Sequence, residues 1–276
     1  MTEAFYDRLA KTRHQIHQHP EVSEEEHETT VFLKGYLKNL GIEPLNYPLK
    51  TGLIAEIGSG YPIIALRADI DALPIKEKTG LPYASNNGAM HACGHDGHAA
   101  WLIGAAKILA SIREKWGGCI KFVFQPGEEI GRGAMELVKE DHVLENPKVD
   151  MAFAAHGWPT VESGKIGIAR RYAFGCVGTF AVEIIGKKGH ASWPEQTIDP
   201  IAVANEVYQH IPAILARKIS GTDSGIMSVT YMQAGVEKIK NVIPQICKFG
   251  GTMRTTKRET MEKMAVELKN ELRAIC

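Results

Sequence analysis

Two short polar clusters contain side chains that could bind metal ions and activate water. The first, His91-Ala92-Cys93-Gly94-His95-Asp96-Gly97-His98, brings three histidines, a cysteine and an aspartate into eight residues. The second, Gln125-Pro126-Gly127-Glu128-Glu129, places two adjacent carboxylates directly after an apolar, strand-like run. Thiolate, imidazole and carboxylate are the ligands from which hydrolytic metal sites are built. Together the clusters predict a metal-dependent hydrolytic site.

Within these clusters, Cys93 and His95 are the first candidate metal ligands, because a spacing of two in an extended segment lets both face one ion. His98 would project from the first turn of the following helix, where packing or capping is its expected role. Glu128 and Glu129 point in different directions, so one carboxylate can ligate a metal while the other accepts a proton from water. We assign Glu129 as the ligand and Glu128 as the general base, although spacing alone leaves the two interchangeable.

Polar residues also follow two other strand-like runs. The run Ile63–Leu66 leads into Asp69 and Asp71, and the run Met151–Ala155 leads into His156. Ligands bind at the carboxyl ends of strands in open α/β sheets, so these residues are expected at the same edge. One aspartate is expected to orient a ligating imidazole, and His156 is a candidate ligand. Taken singly, the aspartates could serve only a turn and His156 could be a buried structural histidine.

Alternating strand and helix patterns predict an α/β sheet with helices on both faces, followed by a smaller α+β unit. The domains are expected at 1–176, carrying the metal site, and at 177–276. The histidines of the first helix (His14, His17 and His19) are spaced unlike a site and are expected at the surface or at an interface. Predicted strands are Leu53–Ile57, Ile63–Leu66, Cys119–Phe124, Met151–Ala155, Thr179–Gly186, 226–234 and 246–254; predicted helices are 3–19, 24–40, 97–114, 200–217 and 259–275.

Composition narrows the class of protein. The 276 residues are 44% hydrophobic and 23% charged, as in ordinary globular proteins. Basic and acidic residues each number 32, so the charge balance gives no support to nucleic acid or a membrane as partner. The N-terminus has no signal-peptide pattern, and no run reaches the roughly 18 apolar residues of a membrane span. The odd number of widely spaced cysteines predicts reduced thiols and a cytosolic protein: Cys93, Cys119, Cys176, Cys247 and Cys276.

These motifs, taken together, resemble the M20 metallopeptidase and amidohydrolase family. The chain is most similar to the branch containing N-acyl-amino-acid amidohydrolases, hippurate hydrolases, N-acetyldiaminopimelate deacetylases and plant auxin-conjugate hydrolases. The matching segments run in family order through nearly the whole chain, and their combination is highly specific. They are His17–Glu21, Arg67–Pro74, His91–His98, Gln125–Glu129, Gly189–Ser192 with Pro194, and Asn241–Pro244.

The resemblance implies a three-layer α/β/α hydrolase domain with an inserted ferredoxin-like lid that also mediates homodimerisation. It implies two divalent metal ions, with manganese, zinc, cobalt or nickel as candidates, and a small N-acyl amino acid as substrate. By motif position, Cys93, His95, Glu129 and His156 match metal ligands, Glu128 matches the general base, and Asp71 matches the aspartate that supports the site. In the lid, His190 matches a histidine that helps to bind the substrate carbonyl, and Asn241 and Arg254 match contacts to a substrate carboxylate.

The chain departs from the family pattern in its length. The resemblance implies that family members continue beyond this point and supply one more metal-ligating histidine, which no residue here matches, so the chain is expected to be a fragment or a truncated product. The expected activity is metal-dependent hydrolysis of the amide bond of an N-acyl amino acid. The alternatives are a truncated, non-catalytic family member and a dipeptidase of the same family. A purely structural zinc site is disfavoured, because such sites seldom leave two carboxylates beside the ligands.

Overall fold

A four-stranded sheet with helices packed against it forms the first of two units in the computed structural model, which describes residues 2–276. The first unit ends at Ser163. Its elements are α1 (Glu3–Gln18), α2 (His27–Lys38), β1 (Leu53–Ser59), β2 (Ile63–Asp69), α3 (His95–Ser111), a 3₁₀ turn (Arg113–Lys115), β3 (Gly118–Gln125), α4 (Gly133–Met135), a π-helical turn (Glu136–Glu140) and β4 (Met151–Ala154). The strand order is β1-β3-β2-β4, with β2, β3 and β4 parallel and β1 antiparallel to β3.

The central strand β3 is buried along its whole length. Phe122 and Phe124 point into a core built with α1, α2 and α3, whereas Val123 points to the opposite face and packs with Leu137 and Val143. Successive side chains of a strand face opposite sides of the sheet, so an unbroken apolar run requires cover on both faces. The predicted strand and its burial on both faces are confirmed.

Lys121, the charged residue of β3, is fully buried. Its ammonium group donates to the carbonyl oxygens of Val143 at 2.7 Å and Asn146 at 3.0 Å, and it lies 3.2 Å from a carboxylate oxygen of Glu56. A buried charge is tolerated when such oxygens replace its water. Lys121 thereby holds the chain segment that leads towards β4.

The buried helix α3 begins directly after the cysteine of the first polar cluster. Gly94 precedes it with φ of 87°, a left-handed conformation that favours glycine, and the helix starts at His95, earlier than the predicted start at 97. His95 and His98 are therefore on its first turn and on the same face, because residues three apart on a helix are neighbours. The predicted burial is confirmed for most of the helix, with Trp101 as an exposed exception.

The second unit, Gly164–Cys276, has the strand-helix-strand-strand-helix order that the sequence predicts. Both outer strands of its main sheet, ordered β5-β9-β7, run antiparallel to the middle one, and Phe249 and Met264 are fully buried in its core. The elements are β5 (Cys176–Ile185), β6 (Gly189–His190), a 3₁₀ turn (Pro194–Gln196), α5 (Pro200–Lys218), β7 (Gly225–Ala234), β8 (Val242–Ile243), β9 (Ile246–Thr255) and α6 (Arg258–Ile275).

The predicted α/β fold class is confirmed by this architecture. The division between the units, after Ser163, comes before the boundary expected at residue 176, and residues 164–175 contain no helix or strand. Within residues 2–276, none of the helices combines the length and the apolar composition that crossing a bilayer requires.

Replacing Phe122 with alanine should destabilise the first unit by about 3–5 kcal/mol, because it leaves a cavity in the middle of the core. Val31→Ala, at an exposed position of α2, should cost less than about 0.5 kcal/mol. Hydrogen exchange of peptides from β1, β2 and β3 as a function of urea would measure both. Equal unfolding midpoints for the two variants would contradict the assignment of the core.

Candidate metal centre

The carboxyl ends of three parallel strands meet at one edge of the first sheet. In the register of the sheet, Asp69 at the end of β2 is paired with Gln125 at the end of β3, and Arg67 is paired with Ala154 at the end of β4. The glutamates follow β3 closely, His156 follows β4 closely, and the first turn of α3 supplies His95. The segments that the sequence predicted to converge therefore lie together.

Three groups of side chains at this edge could hold a metal ion, and His95 belongs to all of them. Within each group the potential ligand atoms lie within 4.8 Å of one another. His95 Nε2 is 3.8 Å from Glu129 Oε1 and 3.9 Å from Glu128 Oε2. The groups are Cys93-His95-His156, His95-Glu128-Glu129 and Asp69-His95-His98. Every metal ligand expected from the sequence falls in the first two.

The ring of His95 is held from one side by Asp71. Its Nδ1 donates to the backbone oxygen of Asp71 at 2.9 Å and lies 3.1 Å from Oδ1 of the same residue. With the proton on Nδ1, the lone pair of Nε2 points into the cluster, as in metal-ligating histidines whose second nitrogen is anchored. Nε2 is buried and has no hydrogen-bond partner among residues 2–276.

His156 is oriented in the same way by backbone. Its Nδ1 donates to the carbonyl oxygen of Gly157 at 2.7 Å, and its Nε2 is 3.6 Å from Cys93 Sγ. Because the carbonyl can only accept, Nδ1 carries a proton and Nε2 is the nitrogen that faces the thiol. His95 and His156 thus both turn Nε2 towards the centre.

His98 has a different role from the packing or capping that the sequence suggested. Its Nδ1 donates to Asp69 Oδ1 at 2.6 Å, and its Nε2 accepts the N–H of Gly157 at 2.8 Å. Both ring nitrogens are already used, so His98 fits a metal ligand poorly although it lies in the third group. It instead fixes the backbone beside His156. The spacing of three from His95 on one helix face was the signal that could have revealed this contribution.

Both aspartates after β2 act on histidines, whereas the sequence led us to expect only one. Asp71 holds His95, and Asp69 holds His98 while lying 2.7 Å from the guanidinium of Arg67. Burial alone would raise the pKa of Asp69, but the hydrogen bond from His98 and the charge of Arg67 outweigh it and lower the pKa to about 2. Burial also opposes ionisation of Asp71, yet its hydrogen bonds lower its pKa.

A tight turn presents the two glutamates. The Cβ of a residue larger than glycine at Gly133 would lie 1.7 Å from the carbonyl oxygen of Pro126, so the turn closes only with glycine there. The backbone N–H of Glu129 donates to Asp71 Oδ2 at 2.9 Å. The Glu129 side chain is 20% exposed and that of Glu128 is 41% exposed, so the two carboxylates differ in their access to solvent.

The chemistry of this donor set fits a cation. Glu129 Oε1 is buried and, in the part of the chain that the structure describes, has no hydrogen-bond partner. Burial, together with repulsion from Glu128, raises the pKa of Glu129, and burial and the nearby Glu129 raise the pKa of the Cys93 thiol to about 11. Clustered carboxylates that disfavour further negative charge are compensated when a divalent cation binds between them. The residues present therefore suit a metal ion.

A buried polar network adjoins the centre. His17 Nδ1 lies 3.0 Å from Asp96 Oδ2, and its Nε2 lies 3.1 Å from Glu77 Oε1. The Nε of Arg13 also donates to Asp96, at 2.8 Å. The expectation of a surface or interface position is wrong for His17, because the ring is buried and these long-range partners satisfy it inside the fold. Helical spacing alone cannot reveal partners from distant segments.

The site residues expected in the second unit lie on two separate sheets of that unit. His190 is in β6, where it pairs with Val242 of β8, and the N–H of Ala191 donates to the backbone oxygen of Asn241 at 3.0 Å, so His190 and Asn241 lie at the same end of the β6-β8 pair. Arg254 lies on β9 and is exposed. Among the described residues, the candidate metal-ligand groups include none from this unit. The roles of His190, Asn241 and Arg254 stay predictions.

Comparison with known proteins places the chain in a family. The model of peptidase family M20/M25/M40 matches residues 65–267, and the chain belongs to this family. It is 42% identical to an N-acetylcysteine deacetylase of Bacillus subtilis, over 94% of this chain and 68% of the relative. It is 39% identical to an N-acyl-L-amino acid amidohydrolase of Geobacillus stearothermophilus, over 90% of this chain and 67% of the relative.

A solved structure gives the same result. The Bacillus subtilis YXEP protein, described as a dinuclear metal binding peptidase from the M20 family, superposes with a TM-score of 0.82 and 39% identity. The match covers 99% of this chain and 71% of the YXEP chain. Across eight curated relatives, the chain spans 56–69% of the relative's length. The resemblance to the M20 family that the motifs indicated is confirmed.

Stability at acid pH tests the Asp69–His98 pair. The folded-state pKa of Asp69, about 2, is below its ordinary 3.8, so the carboxylate stabilises the folded protein above pH 4 and this contribution is lost as pH falls towards 2. The difference in unfolding free energy between wild type and Asp69→Asn should shrink by about 1 kcal/mol from pH 6 to pH 3. Urea titrations with chelator would measure it. A constant difference would mean that the Asp69 carboxylate is not preferentially ionised in the folded state.

Proposed function

We propose that the protein is a metal-dependent amidohydrolase that cleaves the amide bond of N-acyl amino acids or related conjugates. The main support is that His95 Nε2 and Glu129 Oε1 lie 3.8 Å apart. Both atoms are buried and lack a hydrogen-bond partner among residues 2–276. Two unsatisfied buried atoms of this kind are costly unless something binds them. The names of the relatives support N-acyl amino acids as the substrate class.

The proposed ligands for two divalent ions are Cys93, His95, Glu129 and His156. Thiolate, imidazole and carboxylate together suit manganese, zinc, cobalt or nickel. His95 and His156 each present an anchored ring with Nε2 towards the cluster, which is the arrangement that outer hydrogen bonds give to metal-binding histidines. When bound, such ions polarise a carbonyl group and lower the pKa of a bound water.

Glu128 is the proposed general base. It is the more exposed glutamate, and its Oε2 is 3.9 Å from His95 Nε2, so its carboxylate borders the cluster and can still reach water and substrate. Glu128 takes a proton from the attacking water and then gives it to the leaving amine nitrogen. Asp71 fixes the ring of His95 and the backbone of Glu129 during these steps.

The second unit is proposed to act as a lid and as the dimerisation domain of a homodimer. His190 would help to bind the substrate carbonyl, and Asn241 and Arg254 would bind the substrate carboxylate. The exposed guanidinium of Arg254 has the charge that this role needs. These assignments depend on the family motifs. The proposed cytosolic location depends on the number and spacing of the cysteines.

Hydrolysis of a small panel of N-acyl amino acids and dipeptides would test the proposed reaction. With added manganese, we expect release of the free amino acid from the N-acyl substrates and none in chelator. Glu128→Gln keeps the size of the side chain but removes its basicity, and should lower turnover by about 10²–10⁴-fold. Glu136→Gln removes a carboxylate that belongs to none of the candidate metal-ligand groups and should leave turnover unchanged.

The panel also separates the rival functions. Turnover of dipeptides in preference to N-acyl amino acids would favour the dipeptidase alternative. Metal binding by the folded chain without turnover of any substrate would favour a non-catalytic family member. Full activity in Glu128→Gln would remove Glu128 from the mechanism.

Cobalt binding tests the ligand set without requiring activity. A thiolate bound to Co²⁺ gives a sulfur-to-metal charge-transfer band, which we expect in the wild type and not in Cys93→Ala. The variant should also bind Co²⁺ at least about tenfold more weakly, because a direct ligand contributes at least as much as the outer partners of a site. Cys176→Ala is the matched control and should retain the band. A band that persists in Cys93→Ala would show that another thiol binds the ion.

A further inference from the structure

The connection between α1 and α2, residues 19–26, passes beside the metal centre. The N–H of Ala72 donates to the backbone oxygen of Glu21 at 2.8 Å, and Val22 forms a parallel bridge with Ala72. The connection therefore lies along the backbone directly after Asp71. Two of its side chains, Ser23 and Glu26, make hydrogen bonds that point into the site.

Ser23 contacts the carboxylate that organises the ligands. Its hydroxyl donates to Asp71 Oδ2 at 2.7 Å, the same oxygen that accepts the N–H of Glu129 at 2.9 Å. The other oxygen of Asp71 lies 3.1 Å from His95 Nδ1. A carboxylate held by several donors has little rotational freedom. Ser23 thus fixes the orientation through which Asp71 reaches both a histidine and a glutamate of the cluster.

Glu26 contacts the turn that carries the glutamates. It is fully buried, and its Oε1 accepts the N–H of Gly127 at 2.9 Å while its Oε2 accepts the hydroxyl of Thr51 at 2.6 Å. Burial raises its pKa, and the two groups that donate to its carboxyl oxygens, the Thr51 hydroxyl and the Gly127 N–H, are uncharged. Burying a carboxyl group without a cationic partner is costly, so its contacts with the backbone of Gly127 and with Thr51 are the compensation that the fold provides.

The α1–α2 connection is held in place by hydrogen bonds to its neighbours, so its side chains can restrict the movement of the site. Glu21 accepts the N–H of Thr29 at 2.8 Å at the start of α2. The hydroxyl of Thr30 donates to the backbone oxygen of Glu26 at 2.6 Å and accepts the N–H of Gly52 at 2.8 Å. These bonds tie residues 21–26 to α2 and to the start of β1, so the hydroxyl of Ser23 and the carboxyl of Glu26 have fixed positions.

We propose that Ser23 and Glu26 are positioning residues of the metal centre. Ser23 acts through Asp71 on His95 and Glu129, and Glu26 acts through Gly127 on the turn that presents Glu128 and Glu129. The inference rests on the proposed metal site and adds to it a segment that contains no metal ligand. Removal of outer hydrogen-bond partners typically weakens metal binding by about 10–100-fold.

Cobalt affinity measured together with the melting temperature of the metal-free protein tests the role of Ser23. Ser23→Ala should weaken Co²⁺ binding about tenfold and alter the visible spectrum of the bound ion, with little change in the metal-free melting temperature. Ser23→Thr keeps the hydroxyl and should restore affinity to within about threefold. Ser111→Ala, which removes an exposed hydroxyl of α3, is the matched control and should change neither quantity.

The Glu26 arm removes both acceptor oxygens while keeping the length of the side chain. Glu26→Met leaves the N–H of Gly127 and the hydroxyl of Thr51 without their acceptor. We expect Co²⁺ binding to weaken about tenfold. Glu25→Met, at the exposed neighbouring position that pairs with Lys50, should bind Co²⁺ as the wild type does. If Glu26→Met does not fold, the Ser23 series decides the proposal.

The outcomes separate this inference from the proposed function. Wild-type affinity and spectrum in folded Ser23→Ala and Glu26→Met would overturn the positioning role while leaving the metal site intact. A lower metal-free melting temperature with unchanged Co²⁺ affinity would assign the two residues to stability alone, which also overturns it. A wild-type protein that binds no Co²⁺ would remove the metal site and the inference together.

Discussion

The buried carboxylate of Asp71 is the interaction on which the candidate site depends. It connects three parts of the chain that are far apart in sequence: the first turn of α3 through His95, the turn after β3 through the N–H of Glu129, and the α1–α2 connection through Ser23. A buried carboxylate needs hydrogen-bond donors, because burying an unpaired charge costs a large amount of free energy. The donors that surround Asp71 also fix the separation between the imidazole of His95 and the carboxylate of Glu129, and this separation suits a cation bound between them.

The sheet makes this concentration of polar groups possible. Strands β2, β3 and β4 run parallel, so their carboxyl ends bring successive polar segments to the same edge, and the apolar body of β3 anchors them in the core. The packed core lies behind the site. The candidate site residues lie on the turns that follow the strands and on the first turn of α3. The closed turn at Gly133 leaves no room for a larger residue, and the left-handed φ of Gly94 disfavours any residue other than glycine.

Periodicity and motif spacing predicted most of the fold and the convergence of the candidate metal ligands, but they did not predict the supporting partners. Strands and helices follow from local patterns, and the sheet then brings strand ends together by a general rule. The contributions of Ser23 and Glu26 depend on contacts with Asp71 and Gly127, which no local pattern encodes. His17 was wrongly expected at the surface for the same reason. The contribution of His98 could have been predicted, because its spacing of three from His95 places both on one helix face.

Protons and metal ions compete for this site, and the competition explains why its atoms are arranged as they are. Without a cation, burial and the neighbouring carboxylates raise the pKa of Cys93 to about 11 and raise that of Glu129, so a metal ion that binds the thiol must displace its proton. The histidines are prepared differently, because Asp71 and Gly157 hold their Nδ1–H groups and keep Nε2 turned towards the cluster. A cation can therefore displace the thiol proton without rearranging the imidazoles. The hydrogen bonds behind the cluster keep the imidazole rings in place while the thiol loses its proton. A site without these hydrogen bonds would have to reorient its imidazole rings as well when a metal ion binds.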